Sequence, residues 1–222
     1  MRDILPSEVI NLLRDRYSAG VANAEAFFDQ HRADEDSVTG ALGQALAVVD
    51  PIRYVSAGQQ FEIRVGYRKI RGRGPGAPER SYGSDGIFQI SIHDEAGNVA
   101  LEKGLAFQSK MNWKGKNQSL LGQAALMEKW TPGGIVIDFS ATGYKACTAQ
   151  ATVAASGSRR ALDRYGAMRP LSQVLSRDFL DCTVGRRGLY FDPNKEWYVQ
   201  RPPLDHQLLH VVSTEVTIRP WG

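Results

Sequence analysis

Two long apolar segments flank a short polar turn, and this pairing constrains the fold more than any other feature of the sequence. Residues 86–93 read GIFQISIH, residues 99–111 read VALEKGLAFQSKM, and the intervening EAGN at residues 95–98 has turn composition. If Ala96 and Gly97 form a two-residue turn, the numbers of facing residues sum to 193, as 96 and 97 do. This register predicts a hairpin in which Asp85 lies directly across from Gln108.

The second strand of this hairpin carries two polar side chains that need partners. Strand alternation places Gln108 and Lys110 on one face, while Phe107 and Ser109 point to the other. Because the surrounding residues are apolar, the strand should be central, where an unpaired amide or ammonium is costly. We therefore expect a carboxylate, an amide and an ammonium to converge, although Asp85 is equally well explained as a turn residue within GSDG at 83–86.

The remaining periodicity predicts an α/β fold of the α+β kind, with a mixed central sheet flanked by helices. A single domain is expected, with a core at about 30–155 and a C-terminal extension of unknown role at about 156–222. The expected helices cover residues 7–30 with an interruption near Gly20, a segment from Asp34 that ends before Pro51, and residues 116–130, 159–165 and 171–180. The expected strands are 53–57, 59–67, 86–93, 99–111, 134–140, 144–152 and 210–218.

The charges of the chain nearly cancel, with 27 Lys and Arg residues against 24 Asp and Glu residues. More than the whole net charge of +3 lies in residues 64–80, where six basic residues accompany the single acid Glu79. Glycines and prolines there exclude regular structure, so the segment could follow a phosphate backbone, although a basic run is more often a solvated loop. The candidate nucleic-acid contacts are Arg68, Lys69, Arg71, Arg73, Arg80, Lys114 and Lys116.

Other functional classes find little support in the sequence. Cys147 and Cys182 lack metal-ligand spacing and are expected to be reduced thiols in a cytoplasmic protein. No apolar run is long enough for a membrane span, so no membrane partner is expected. His206 and His210 are four residues apart but have no accompanying ligand, which favours structural histidines over zinc ligands. No phosphate-binding loop or acyl-transfer motif is present.

The segments GSDGIFQI and GLAFQSK resemble the core of the PD-(D/E)XK nuclease superfamily. The resemblance is to the D…QxK variant found in Mrr-like restriction endonucleases and in some effector nucleases of anti-phage defence. It covers roughly residues 30–140, since HRADEDSVTGAL offers Glu35 as a further acid on a preceding helix. LGQAALMEKW and GIVIDFS look like the helix and strand that complete the superfamily's α-β-β-β-α-β core.

This resemblance implies an endonuclease that uses Mg²⁺ or Mn²⁺ to hydrolyse double-stranded DNA in restriction or phage defence. It implies that Asp85, Glu35, Gln108 and the Ser109 backbone carbonyl hold the metal, and that Lys110 orients the attacking water. Mg²⁺ prefers oxygen ligands and needs only one or two carboxylates. Gln108 stands where the superfamily more often has an acid, so metal affinity should depend more heavily on Glu35.

Several alternatives remain open at the level of sequence. Glu35 is equally explained as an acid that favours a helix N-terminus, and Asp36 competes with it if the helix phase is shifted by one residue. The whole chain could be a catalytically inactive nucleic-acid-binding module on the same fold, or a non-enzymatic protein-interaction domain. A homodimer or a larger defence complex is a further possibility, because one site cuts one strand.

Overall fold

The computed structural model describes residues 1–70, 83–192, 197–198 and 210–221, which form helices on both sides of a mixed sheet. The helices are α1 (Ser7–Ala26), α2 (Phe28–His31), α3 (Glu35–Leu46), α4 (Gln118–Trp130), α5 (Ala149–Ala154), α6 (Arg159–Arg164) and α7 (Leu171–Gln173), which continues as a π-helix (Val174–Phe179). The strands are β1 (Ile52–Ser56), β2 (Gln59–Lys69), β3 (Gly86–His93), β4 (Val99–Met111), β5 (Ile135–Phe139), β6 (Lys145–Thr148), β7 (Arg169–Pro170), β8 (Arg186–Arg187), β9 (Phe191–Asp192), β10 (Trp197–Tyr198) and β11 (His210–Pro220).

The central sheet has the strand order β1-β2-β11-β3-β4-β5-β6-β7, and β8 adds to the side of β4. Neighbouring strands are antiparallel except for two parallel pairs, β11 with β3 and β4 with β5. The prediction of a mixed central sheet flanked by helices is therefore confirmed. The order α3, β2, β3, β4, α4, β5 along the chain is the one expected from the sequence.

The C-terminal strand β11 lies inside this sheet, not at its periphery. It pairs with β2 over its whole length on one side and with β3 on the other. The predicted extension at 156–222 therefore contributes a strand to the middle of the sheet, and the predicted core at 30–155 does not contain the whole sheet. Alternating apolar residues identify 210–218 as a strand, but which strands it joins depends on contacts distant in sequence.

The β3–β4 hairpin has the predicted register but reaches it by a different turn. Facing residues sum to 193 from the Gly86–Phe107 pair to the Ile92–Leu101 pair, as expected. The loop is three residues long, because the Asp94 amide bonds the Asn98 carbonyl at 2.9 Å and Gly97 adopts a positive φ of 82°. A β-bulge then shifts the register between Ile92 and His93 and restores the expected sum.

Most of the predicted helices form, with two corrections. Gly20 does not interrupt α1; a Cβ there would lie 2.6 Å from Leu46 Cδ2, so glycine allows α1 and α3 to approach closely. The strand predicted at 144–152 is shorter in the structure and ends at Thr148. The Thr148 hydroxyl accepts a hydrogen bond from the Ala151 amide and so caps helix α5, which takes the place of the rest of the predicted strand. Threonine is a favourable N-cap because its hydroxyl provides an acceptor for one of the free amides in the first turn of a helix.

The described residues form three hydrophobic clusters, and two of them pack helices against the sheet. Helices α1 and α3 contribute Leu13 and Leu42 to one cluster, which also contains Phe107 of β4. Helix α4 contributes Leu120 to the other, which contains Ala106 of β4. Ala106 and Phe107, which are consecutive in β4, thus face different helices, as strand alternation predicts. No helix in the described part of the chain is long and apolar enough to cross a membrane, and both cysteines are free.

Candidate functional site

The open end of the β3–β4 hairpin brings Asp85 against Gln108 and Ser109, close to where the predicted register places it. Gln108 Nε2 donates to Asp85 Oδ2 at 2.9 Å, and the Ser109 amide donates to the same oxygen at 2.7 Å. The Ser109 hydroxyl makes a third, very short hydrogen bond to that oxygen. All three residues are buried. Asp85 is therefore part of a polar cluster and not only a turn residue.

Two oxygen atoms of this cluster point at the same position. The Gln108 amide nitrogen lies 2.9 Å from Asp85 Oδ2 and 3.2 Å from the backbone carbonyl oxygen of Ser109. Both oxygens were predicted metal ligands, and one partially positive amide group now contacts both. Two oxygens that accept from one NH₂ group lie near each other, as the ligands of a single cation must.

Glu35 and Lys110 form the second half of the cluster. The Lys110 ammonium lies 2.7 Å from Glu35 Oε1, and the two side chains are 21% exposed for Glu35 and 32% exposed for Lys110. Thr39, one turn further along α3, donates to the Glu35 carbonyl at 2.7 Å and contacts the Ser109 hydroxyl at 3.4 Å. Thr39 thus connects the Glu35 backbone to Ser109, and the Glu35 side chain pairs with Lys110.

Local sequence explains why these groups meet. Asp34 caps α3 by accepting from the Ser37 amide at 2.8 Å, which fixes the first turn and with it Glu35. Gly83 has a φ of +70°, and a Cβ there would lie only 1.9 Å from the backbone oxygen of Gln123 on α4. Only glycine permits this approach, so the chain enters β3 with Asp85 against β4.

A buried histidine beside the site was not recognised from the sequence. His210, the first residue of β11, contacts Asp36 Oδ1 through Nε2 at 2.8 Å and the Tyr67 hydroxyl through Nδ1 at 2.9 Å. Its backbone amide also donates to the Asp85 carbonyl at 3.1 Å. The sequence favours a structural role for His210 over a zinc ligand, but it does not reveal these partners; the signal that could have pointed to them is a polar residue at the start of a strand otherwise rich in valine.

Asp36 is committed to this neighbouring network and does not contact Lys110. Its second carboxylate oxygen pairs with Lys69, at the end of β2. Burial raises the pKa of Asp36, but hydrogen bonds and charge from Lys69 and His210 lower it below its usual value. The structure thus separates the two acids of α3 that the sequence left in competition: Glu35 faces Lys110, and Asp36 faces His210.

The predicted nucleic-acid contacts divide into three groups. Arg68, Lys114 and Lys116 are exposed, as phosphate contacts must be. Lys69 is exposed as well but its ammonium is engaged by Asp36. The predictions for Arg71, Arg73 and Arg80 lie outside the described residues.

The donor set fits a hard divalent cation in part. Among the described residues, no three Asp, Glu, His or Cys side chains group together as a metal site. An ion here would draw on Asp85 and Glu35 for charge and on neutral amide and carbonyl oxygens for the rest. Such a set suits Mg²⁺, which accepts oxygen ligands and retains several waters.

Comparison with known proteins gives no match to a family model, to a curated protein or to a solved structure. The geometry of the cluster is therefore what supports a function.

Proposed function

We propose that the protein is a Mg²⁺- or Mn²⁺-dependent endonuclease that hydrolyses phosphodiester bonds of double-stranded DNA. The observation that carries the proposal is the convergence of Asp85 Oδ2 and the Ser109 carbonyl oxygen on the Gln108 amide, at 2.9 and 3.2 Å. The Glu35–Lys110 pair adjoins this point through Thr39. The resemblance to D…QxK nucleases extends the proposal to restriction or anti-phage defence.

Asp85, Gln108 and the Ser109 carbonyl would hold the cation, with Glu35 as the second acid. When bound, such an ion lowers the pKa of a ligated water and offsets negative charge at the phosphate. The Gln108 amide must turn so that Oε1, not Nε2, faces the other two oxygens. The side chain can do this by rotating about its last torsion, which is soft for an amide.

Lys110 supplies the positive charge that a phosphoryl transition state needs. Its side chain is partly exposed, so a phosphate in solution can reach the ammonium that Glu35 now holds at 2.7 Å. A cation placed in advance where charge develops lowers the barrier without reorganising at the moment of reaction. Glu35 thereby has two roles, as a metal ligand and as the group that positions Lys110.

A catalytically inactive nucleic-acid-binding module is a second candidate. It is favoured by the amide orientation of Gln108, whose NH₂ group already satisfies the two oxygens that a metal would use. In that case the cluster would only stabilise the end of the hairpin, and the exposed basic residues would bind nucleic acid without cleavage.

Plasmid nicking in Mg²⁺ or Mn²⁺ tests the proposal. We expect the wild type to nick and linearise supercoiled plasmid, and both Asp85→Ala and Lys110→Ala to lose this activity. Mn²⁺ binding, followed by calorimetry, should weaken in Asp85→Ala because a charged ligand is removed. Circular dichroism melting shows whether the variants remain folded.

Two control variants each remove an exposed charge that lies outside the candidate site. Glu95→Ala removes an exposed acid at the other end of the hairpin, and Lys129→Ala removes an exposed lysine at the end of α4. Both should nick like the wild type. Cleavage that survives Asp85→Ala and Lys110→Ala would refute the site, and salt-sensitive DNA binding without any cleavage would favour the inactive module.

A further inference from the structure

The loop that follows β4 is held rigidly by buried contacts. It begins at Asn112, two residues after Lys110, and Trp113 within it is only 5% exposed. The Trp113 amide donates to Asp138 Oδ1 at 2.9 Å, and the Asn112 amide donates to the Phe139 carbonyl at 2.8 Å. Both acceptors belong to β5, so the start of the loop is fixed to the sheet.

Helix α6 is tied to the same loop. The Arg159 amide donates to the Gly115 carbonyl at 2.8 Å, and the Asn117 amide donates to the Gly157 carbonyl at 3.0 Å. These two hydrogen bonds form an isolated antiparallel bridge between Lys116 and Ser158. Loop 112–117 and the start of α6 thus share a short ladder of backbone hydrogen bonds and behave as one unit.

Arg159 joins this unit to the candidate site. Its side chain is 12% exposed, Nε lies 2.9 Å from Asp138 Oδ2, and Nη1 pairs with Asp163. Asp138 on β5 is the register partner of Lys110 on β4. Adjacent strands are about 4.8 Å apart, so Asp138, the acceptor of Arg159, lies on the strand position beside the proposed catalytic lysine. Arg159 is therefore engaged in the interior and is not available to a phosphate.

Four other basic side chains of this unit point into solvent. Lys114, Lys116, Arg160 and Arg164 are all exposed, and none of them pairs with an acid in the described part of the chain. Arg160 and Arg164 are four residues apart on α6 and so share one side of the helix. Asp163, the acid between them, is occupied by Arg159. We name Lys114, Lys116, Arg160 and Arg164 the basic platform.

We propose that the basic platform binds the phosphate backbone of the duplex DNA that the candidate site cleaves. The proposal rests on the proposed function, since it assigns the surface that holds the substrate. The four cations stand on a backbone that is already ordered, so binding needs to order only their side chains. Phosphate contacts of this kind position a duplex without reading its sequence.

The test measures the affinity of the wild type for a fluorescein-labelled 20-base-pair duplex in EDTA, over a range of salt concentrations. The variant carries Lys114→Gln, Lys116→Gln and Arg160→Gln. Each lost phosphate contact should reduce the slope of log affinity against log salt by about 0.9, so loss of all three should reduce it by about 2.7 and weaken binding roughly 500-fold at about 0.1 M salt.

The control variant removes three exposed cations elsewhere, with Arg53→Gln, Lys129→Gln and Arg187→Gln. Arg187 on β8 is the backbone register partner of Lys103 on β4. Lys103 is seven residues from Lys110 along the strand, which places Arg187 about 23 Å from the Lys110 position. The control variant has the same net charge as the platform variant, but the salt slope of its DNA affinity should match that of the wild type.

Three results would separate the possibilities. Equal weakening in the platform and control variants would overturn the proposal, because only net charge would matter. If the platform variant binds DNA as tightly as the wild type and the wild type still cleaves plasmid, the basic platform is not the DNA-binding surface, whereas the proposed nuclease function is unaffected. Absence of both DNA binding and cleavage in the wild type would overturn the platform together with the proposed function.

Discussion

Strand β4 carries two lysines, Lys103 within the strand and Lys110 near its C-terminal end, and the surroundings of these lysines differ sharply. Lys103 is 1% exposed; its ammonium donates to the Phe179 carbonyl oxygen and lies 4.4 Å from the centre of the Phe179 ring. Lys110 is 32% exposed and pairs with Glu35 at 2.7 Å. Burial lowers the pKa of Lys103 to about 8, from a usual value of 10.5.

The difference in exposure limits what each lysine can contact. A lysine enclosed by a ring and a carbonyl cannot meet a phosphate, so Lys103 contributes to the packing of the π-helix against the sheet. A lysine that pairs with a carboxylate at a partly exposed edge remains accessible to solvent. Four predictions test this division, in order of decreasing size.

The largest expected effect is on cleavage. Lys110→Met should slow plasmid nicking about 100-fold or more, because it removes a positioned cation from the reacting phosphate. Lys103→Met should nick at the wild-type rate. The measurement is nicking kinetics at saturating Mg²⁺, with melting temperatures to exclude unfolding. Equal losses in the two variants would remove the functional distinction between the two ends.

The second effect is on the pH dependence of stability. Between pH 8 and 10.5 the unfolded chain retains a proton on Lys103 that the folded chain has released. The unfolding free energy of the wild type, relative to Lys103→Met, should therefore rise with pH in this range, by up to about 3 kcal/mol. Urea denaturation at several pH values measures the difference. Parallel pH curves for the two proteins would contradict a lowered pKa.

The third effect is on metal affinity at the Lys110 end. Gln108→Glu replaces an amide with a carboxylate and removes the NH₂ group that contacts Asp85 and Ser109. Mn²⁺ should bind about tenfold more tightly, because an added charged ligand favours a hard cation. Calorimetry checks the affinity, with Gln150→Glu on the exposed side of α5 as the control. Unchanged affinity would place the metal elsewhere.

The smallest effect concerns the histidine network beside the site. Tyr67→Phe removes the hydroxyl 2.9 Å from His210, and Tyr17→Phe removes a matched hydroxyl 2.8 Å from Thr214, also on β11. Each should lower the unfolding free energy by about 1 kcal/mol. Only Tyr67→Phe should also reduce cleavage, by less than about tenfold, since His210 contacts both Asp36 and the Asp85 backbone. Equal cleavage rates in both variants would make the network purely structural.

Local signals predicted much of the fold. Strands 86–93 and 99–111 have the bounds expected from the sequence, because long apolar runs end at clear turn residues. The cap at Asp34 was also predictable, since an aspartate before a helical stripe satisfies a free amide. The strand expected at 144–152 failed because Thr148 can either continue a strand or cap a helix, and short segments do not decide between the two.

The candidate site was predictable where one hairpin builds it. Asp85 and Gln108 meet because register follows from the turn region, even though a bulge replaced part of the expected turn. The Glu35–Lys110 pair and the His210–Asp36 pair join segments 75 and 174 residues apart. Nothing local specifies such distances, so the sequence could not choose between Glu35 and Asp36.

By itself, the sequence determined the elements of this protein and the content of its polar hairpin end. Apolar periodicity, turn residues and caps act over a few residues and leave a readable pattern. Only the tertiary structure decided that β11 enters the middle of the sheet, that Lys103 is enclosed while Lys110 is accessible, and that Arg159 is paired in the interior beside an exposed Arg160. These outcomes depend on burial and on ion pairs between distant segments, whose free energies arise only when the chain is folded.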